Sequence, residues 1–156
     1  MERSPDGTRR DEGATLPAVP DLLIASDASW IVDEVRAGVD DGDTTLRSVS
    51  AGVDVLAAVL ERQPDLVVLD LNIGNMGGMA TCMHLRLEQG AGRLGQVPIL
   101  MLLDRRPDVF LAKRSDAEGW VVKPIDPLRL GRAISAVIAG GTYEDDAYRP
   151  PTVALH

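Results

Sequence analysis

The residues of this sequence that could do chemistry stand where runs of apolar residues end. Asp70 closes the run LVVLD, Asp27 follows the run DLLIAS, and Lys123 follows the run WVV. Such runs predict strands buried on both faces, and open α/β sheets bind ligands at the carboxyl ends of their strands. Gathered at that edge, these side chains would supply a nucleophilic oxygen, oxygen ligands for a cation and a positive charge.

The stretches around these residues alternate between two hydrophobic patterns. Short apolar runs predict buried strands, and apolar residues spaced three or four apart predict amphipathic helices. Strands are expected at 21–26, 44–50, 66–70, 97–103 and within 119–126, and helices at 29–39, 51–63, 78–88, 107–114 and from 127 onward. Because parallel strands need crossover connections, this alternation predicts an α/β fold: a doubly wound, five-stranded parallel sheet with helices on both faces.

Apolar residues at helical spacing in the first, second, third and last predicted helices indicate the faces that pack against the sheet. The first helix carries Val32, Val35 and Val39, and the last carries Leu130, Ile134, Val137 and Ile138. The second carries Val53, Leu56, Ala57 and Leu60, and the third carries Met79, Met83 and Leu87. The last helix is expected to begin with Asp126 as its N-cap and Pro127 as its first residue.

Composition narrows the class of protein. The chain of 156 residues has the size of one domain, and a hydrophobic content of 45% is enough for a core. The formal net charge of -8 lacks the basic surface that binds phosphate backbones, so no direct contact with nucleic acid is expected. The single cysteine, Cys82, excludes an internal disulfide, and no apolar run approaches the roughly 20 residues of a membrane helix. A cytoplasmic protein that does not enter a membrane is expected.

The ends of the chain differ in composition from its middle. Residues 1–20 are rich in charge, glycine and proline and are expected to form a flexible N-terminal arm. Residues 141–156 contain paired prolines and are expected to form a flexible C-terminal tail, too short for an output domain. The globular domain is expected at 21–140.

With the stretches LLIASD, LVVLDLNIGNMGG, VPILMLL and WVVKPID in this order and spacing, the sequence resembles the receiver domain of bacterial response regulators. The resemblance covers residues 21–140 and implies the strand order 2-1-3-4-5. It also implies two-component phosphorelay signalling, in which a histidine kinase or a phosphotransfer protein donates a phosphoryl group.

The resemblance assigns roles to four residues at the strand ends. Asp70 would be the phosphoacceptor, and Lys123 would pair with the phosphoryl group. Mg²⁺ would be the cofactor, held by Asp27, Asp70 and the backbone oxygen of Asn72.

Five further positions complete the comparison with the family. Pro124 would shape the turn that aims the lysine, and Trp120 stands where the family carries a switch aromatic. Ser26 replaces the first of two adjacent acids, and Leu103 replaces the hydroxyl residue that bonds a phosphoryl oxygen. Asp104 stands where a small residue is usual and adds negative charge near an incoming phosphoryl group.

The resulting hypothesis is a stand-alone receiver that is not an enzyme beyond self-phosphorylation and autodephosphorylation. It would signal through a downstream protein partner, with a possible homodimer through the face of the fourth helix, fifth strand and fifth helix. An alternative is a pseudo-receiver that binds partners or dimerises without phosphorylation. Two other classes are less favoured: a phosphohydrolase of the haloacid dehalogenase type would need a second aspartate where Asn72 stands, and a flavodoxin-like cofactor binder would need a phosphate-binding Ser/Thr loop.

Overall fold

The computed structural model describes residues 20–39 and 43–145 of the chain. In this part, parallel strands form one sheet in the order β2-β1-β3-β4-β5-β6. The strands are β1 Asp21–Ala25, β2 Thr45–Val49, β3 Leu66–Asp70, β4 Ile99–Leu103, β5 Gly119–Val122 and β6 Tyr143–Glu144. The helices are α1 Ser29–Gly38, α2 Val55–Glu61, α3 Gly78–Gly90, α4 Val109–Arg114 and α5 Pro127–Ile138, with 3-10 turns at Gly52–Asp54 and Arg106–Asp108.

This architecture confirms the predicted α/β class, the parallel sheet and the order 2-1-3-4-5 of its first five strands. The prediction of five strands was incomplete, because β6 pairs in parallel with β5 at the outer edge. That strand lies in the segment 141–156, which had been predicted to be a flexible tail. The arm at 1–19 and the tail at 146–156 lie outside the described residues. No helix in the described part is long and apolar enough to span a membrane.

The sheet carries a hydrophobic layer on each face. Residues alternate between the two faces along each strand, so Leu23 and Leu69 face α2, α3 and α4 whereas Ile24 and Val68 face α1 and α5. Every residue of β3 and β4 is buried, as predicted for strands covered on both sides. These central strands give the residues at their carboxyl ends a rigid support.

The predicted inner faces of α2 and α3 were wrong. In α2 the buried residues are Val55 and Val59, whereas Leu60 is 56% exposed. In α3 the buried residues include Cys82 and Leu85, whereas Met83 and Leu87 are 46% and 69% exposed. Both helices carry apolar residues on two faces, and the face that meets the sheet is not the one with the longer apolar stripe.

The start of α3 lies very close to the end of β3. A Cβ atom placed on Gly78 would lie 2.6 Å from the backbone oxygen of Asp70. The helix therefore begins in direct contact with the end of β3, a distance that only glycine permits. This contact fixes the first turn of α3 against the backbone at the end of β3.

Candidate functional site

The carboxyl ends of the central strands bring the predicted residues to one edge of the sheet. Asp70 is the last residue of β3 and is 3% exposed. Lys123 follows β5, and its backbone N–H donates to the oxygen of Leu103 at the end of β4 (2.8 Å). Asp104 follows Leu103, so the end of β4 places its carboxylate next to the ammonium group of Lys123.

Lys123 is the centre of the charge network at this edge. Its ammonium Nζ donates to Asp70 Oδ1 at 2.9 Å and to Asp104 Oδ1 at 2.5 Å. Burial acts to lower the pKa of Lys123, but the hydrogen bonds and charges of Asp104 and Asp70 outweigh it, so this pKa lies above its ordinary value. The lysine is therefore a fixed cation that two carboxylates share.

The second oxygen of Asp70 also has a partner. The hydroxyl of Ser26 donates to Asp70 Oδ2 at 2.8 Å, and the backbone N–H of Ala28 donates to the Ser26 hydroxyl oxygen at 3.1 Å. The backbone N–H of Asn72 donates to Asp70 Oδ1 at 3.2 Å. Ser26 thus contacts the carboxylate directly, and both oxygens of Asp70 are oriented by donors.

Asp27 is exposed and lies beside the loop that follows β3. Its Oδ2 accepts a hydrogen bond from the backbone N–H of Gly74 at 3.0 Å. With Asp70 and the backbone oxygen of Asn72, the ligands that the family resemblance implies, it would provide two carboxylates and one carbonyl for a cation. No cluster of three or more acidic, histidine or cysteine ligands occurs among the described residues. This small set of hard oxygen ligands fits Mg²⁺, which usually keeps several waters and takes one or two carboxylates.

Leu103 and Trp120, which stand where the family carries its hydroxyl and aromatic switch residues, are both buried. Leu103 is 0% exposed and has no group that can hydrogen-bond to a phosphoryl oxygen. Trp120 is 7% exposed, and Lys113 Nζ lies 5.7 Å from the centroid of its ring. The indole therefore lies on the α4 side of the sheet beneath a cation.

The turn after β5 is held by a residue that the sequence analysis did not single out. The peptide bond between Lys123 and Pro124 is cis. Arg129 Nη2 donates to the backbone oxygens of Val122 at 3.3 Å and Pro124 at 2.9 Å. The guanidinium therefore fixes the backbone on both sides of Lys123, a role that spacing along the sequence does not reveal.

Trp30 is a second residue near the site that sequence reasoning missed. Its ring centroid lies 6.0 Å from Lys123 Nζ, and its side chain is 55% exposed. The only sequence signal is its place in the first turn of α1, three residues after Asp27. It presents an aromatic surface at the rim of the site.

Comparison with known proteins agrees with this geometry. The family model described as response regulator receiver domain matches residues 22–135. The transcriptional regulatory protein AfsQ1 of Streptomyces coelicolor is 30% identical over 128 residues, which are 81% of this chain and 54% of that protein. The DNA-binding response regulator MtrA of Mycobacterium tuberculosis is 37% identical over 90 residues, 56% of this chain and 37% of that protein.

Solved structures share the fold. The chemotaxis response regulator CheY4 of Vibrio cholerae superposes with a TM-score of 0.67 at 24% identity, covering 76% of this chain and 98% of that one. The receiver domain of NtrX from Brucella abortus superposes with a TM-score of 0.67 at 22% identity, covering 78% and 100%. This chain spans about half the length of AfsQ1 and less of MtrA. On its sequence match and its fold, the chain belongs to the response regulator receiver domain family.

Proposed function

We propose that this receiver accepts a phosphoryl group on Asp70 from a histidine kinase or a phosphotransfer protein. The observation that carries the proposal is the contact of 2.9 Å between Lys123 Nζ and Asp70 Oδ1 at the strand edge. Phosphoryl transfer depends mainly on positioning and on neutralising charge on the phosphoryl oxygens. An oriented carboxylate next to a fixed ammonium group supplies both.

In this reaction Asp70, Lys123 and Ser26 would each have a separate role. One oxygen of Asp70 attacks phosphorus in line with the donor's leaving atom, and the donor keeps the electron pair of the broken bond. Lys123 stays close to Asp70 and is placed to pair with an oxygen of the arriving group. The hydroxyl of Ser26 keeps the carboxylate oriented through its bond to Oδ2.

Mg²⁺ is part of the proposal, with Asp27, Asp70 and the backbone oxygen of Asn72 as its protein ligands. When bound, the ion would neutralise charge on the phosphoryl oxygens. Ser26 stands where a second acid would add a negative charge to this set. We therefore expect weaker Mg²⁺ binding than in a site with three carboxylates.

The signal would leave through protein contact, and no enzymatic activity beyond self-phosphorylation and autodephosphorylation is proposed. The names of AfsQ1 and MtrA describe transcriptional regulation and DNA binding in those proteins. Their match to this chain lies in the receiver fold. The face of α4, β5 and α5, on which β6 covers the outer edge of β5, is our candidate for a downstream protein partner or a homodimer.

Intact-mass spectrometry after incubation with acetyl phosphate tests the proposal. The natural chain should gain one phosphoryl group only when Mg²⁺ is present, and Asp70→Asn should gain none. Asp116→Asn is the matched control, because Asp116 is exposed, has a φ of 65° that asparagine tolerates, and lies outside the site. A natural chain that gains no mass while Mg²⁺ is bound would contradict the proposal.

A phosphorylation-independent interaction module is the second candidate function. It is favoured by the ion pair between Asp104 and Lys123. A phosphoryl group on Asp70 would need the ammonium group of Lys123, which is already paired with Asp104. The buried Leu103 also cannot bond a phosphoryl oxygen. In this case Asp70→Asn would bind its protein partner with unchanged affinity.

A further inference from the structure

Asp145, directly after β6, has a buried carboxylate that the site described above does not use. Its side chain is 0% exposed, and its Oδ2 accepts a hydrogen bond from the backbone N–H of Val122 at 2.9 Å. Arg129 Nε lies 3.2 Å from the same oxygen. A buried carboxylate is costly unless it is paired, so these two contacts stabilise Asp145 in this place.

Arg129 carries the contact with Asp145 to the turn that holds Lys123. Its Nη2 donates to the backbone oxygens of Val122 at 3.3 Å and Pro124 at 2.9 Å, the residues on either side of the lysine. A guanidinium group presents its donors in a rigid, planar fork. A partner that fixes Nε therefore also fixes the direction in which Nη2 donates.

The outer edge of β5 ends with side-chain partners. Backbone pairing with β6 stops at Trp120, and the next outward N–H and oxygen, those of Val122, bond to Asp145 and Arg129. On the inner edge, the backbone N–H of Lys123 donates to the end of β4 at 2.8 Å. The end of β5 is thus fixed by a backbone contact on one edge and by a pair of charged side chains on the other.

The ammonium group of Lys123 depends on this fixed backbone to reach its partner. Nζ lies 2.9 Å from Asp70 Oδ1, and the lysine side chain is 13% exposed. A displacement of about 1 Å that starts far from the reacting atoms can slow a reaction about a hundredfold. A loosened turn would therefore weaken the contact that carries the proposed function.

We propose that Asp145 is a positioning residue for Lys123 and acts through Arg129. Its effect on the rate of phosphorylation rests on the proposed function, whereas its effect on the position of the lysine does not. The residues after α5, which the sequence predicted to be a flexible tail, thereby contribute to the site at the opposite side of the β5 turn.

Acylation with N-hydroxysuccinimidyl acetate tests the position of Lys123 without any phosphorylation. Lys113 and Lys123 are the two lysines of the chain, so the exposed Lys113 is an internal reference in peptide mass spectrometry. Asp145→Ala should raise the rate of acylation of Lys123 relative to Lys113 about tenfold, as expected for the loss of a charged hydrogen bond. Asp145→Asn, which keeps an oxygen for the N–H of Val122 but lacks the charge, should give a smaller increase and guards against unfolding of the alanine variant.

Labelling with acetyl phosphate measures the effect on the rate. At saturating Mg²⁺, Asp145→Asn should label Asp70 about tenfold more slowly than the natural chain does. The Mg²⁺ concentration for half-maximal labelling should not rise, because Lys123 is not a ligand of the ion, whereas general damage to the site would raise it. Adding Asp145→Asn to Arg129→Lys should slow labelling no further than Arg129→Lys alone, since both residues act through one contact.

Asp65→Ala is the matched control. Its Oδ2 accepts a hydrogen bond from the backbone N–H of Asp21 at 2.8 Å, so this variant loses the same kind of bond at the amino ends of the strands. The proposal is overturned if the Asp145 variants acylate Lys123 no faster than Asp65→Ala does, or if they label Asp70 as fast as the natural chain. If the natural chain is not labelled at all, the proposed function fails, and the acylation of Lys123 still decides the role of Asp145.

Discussion

At the residue scale, the position of one ammonium group dominates the site. Lys123 lies between Asp70 and Asp104 and is bonded to both. A phosphoryl group arriving at Asp70 must compete with Asp104 for that cation, and the negative charge of Asp104 repels it. Asp104 is thus expected to limit the rate at which Asp70 reacts.

Replacing Asp104 by alanine should therefore speed phosphorylation of Asp70, by roughly tenfold at saturating Mg²⁺, because about 1.4 kcal/mol less repulsion would oppose the transition state. Asp104→Asn, which removes the charge but keeps an acceptor for Lys123, should give an intermediate rate. Single-turnover labelling with acetyl phosphate measures these rates. Equal or slower labelling of Asp104→Ala would show that the carboxylate assists the site.

Cys82 provides a test of packing at the same scale. Burial raises the pKa of its thiol to about 11, and its Sγ contacts the backbone oxygen of Ser115 at 3.1 Å. The unfolded chain releases the thiol proton near its ordinary pKa of 9.0, before the folded chain does. The free energy of unfolding should therefore be unaffected by Cys82 below pH 9 and fall by about 1.4 kcal/mol per pH unit between 9 and about 11.

Urea unfolding at several pH values, compared with Cys82→Ala, isolates this effect. The difference in the free energy of unfolding between the two proteins should narrow as the pH rises above 9. If the free energy of unfolding of the natural chain and that of Cys82→Ala change with pH in the same way, the thiol is not buried in solution.

Sequence alone predicted that Asp70 and Lys123 meet at one edge of the sheet but not which further bonds they make. Asp70 and Lys123 each follow an apolar run, and parallel strands bring such ends together. The double contact of Lys123 with Asp104 and the Ser26 bond to Asp70 depend on side-chain rotamers, which no spacing encodes. Arg129 was missed because it acts on backbone oxygens, which every residue carries.

At the element scale, α3 shows how a helix can present apolar residues on two faces. Its predicted stripe is exposed, and Leu85 and Cys82 face the sheet instead. Hydrophobic periodicity identifies the apolar positions of a helix, but it cannot show which of two apolar faces meets the sheet. In α3 the close approach of Gly78 to Asp70 sets the rotation of the helix about its axis. The fully buried strands carried no such ambiguity, because both of their faces are apolar.

Two leucines of α3 test this orientation. Leu85→Ala, at 0% exposure, should lower the free energy of unfolding by about 2–5 kcal/mol through a cavity. Leu87→Ala, at 69% exposure, should change it by less than about 0.5 kcal/mol. Chemical denaturation measures the free energy of unfolding of both variants. Similar decreases for the two would mean that Leu87 also faces the core, as the sequence predicted.

The strand β6 was missed for a different reason. Its sequence, Tyr143 and Glu144, carries no apolar alternation, and glycines precede it. It is held by Gly119, Val122 and Arg129, which are distant in the sequence. The β-strand propensity of a short segment cannot predict a strand that is stabilised by tertiary contacts.

At the scale of the whole molecule, the fold class was predictable because the alternation of strands and helices allows few topologies. The family was predictable from the resemblance carried by LLIASD, LVVLDLNIGNMGG, VPILMLL and WVVKPID. The acidic surface follows from composition alone, with a formal net charge of -8. Binding to duplex DNA requires cations that release condensed counterions, and this chain has an excess of carboxylates. Nucleic-acid contact is therefore not expected of this chain on its own.

Fluorescence anisotropy with a labelled random duplex should accordingly show no binding at physiological ionic strength. A basic DNA-binding domain serves as the positive control for the labelled duplex. Lowering the salt should not produce binding, because weaker screening strengthens repulsion between like charges. Saturable binding that weakens with added salt would reveal a basic patch that the net charge of the chain conceals.

The indole beside Lys123 gives the molecule an optical property of its own. Trp30 is 55% exposed and lies 6.0 Å from the ammonium Nζ, whereas Trp120 is 7% exposed in the layer beneath α4. Their surroundings differ in polarity, so the two emission bands are expected to separate in wavelength. A movement of the lysine alters the quenching of the solvent-exposed fluorophore, and a shift of α4 alters the buried one. The unlabelled chain thus carries a two-channel fluorescent reporter, with one channel at the charge network and the other at the packing behind it.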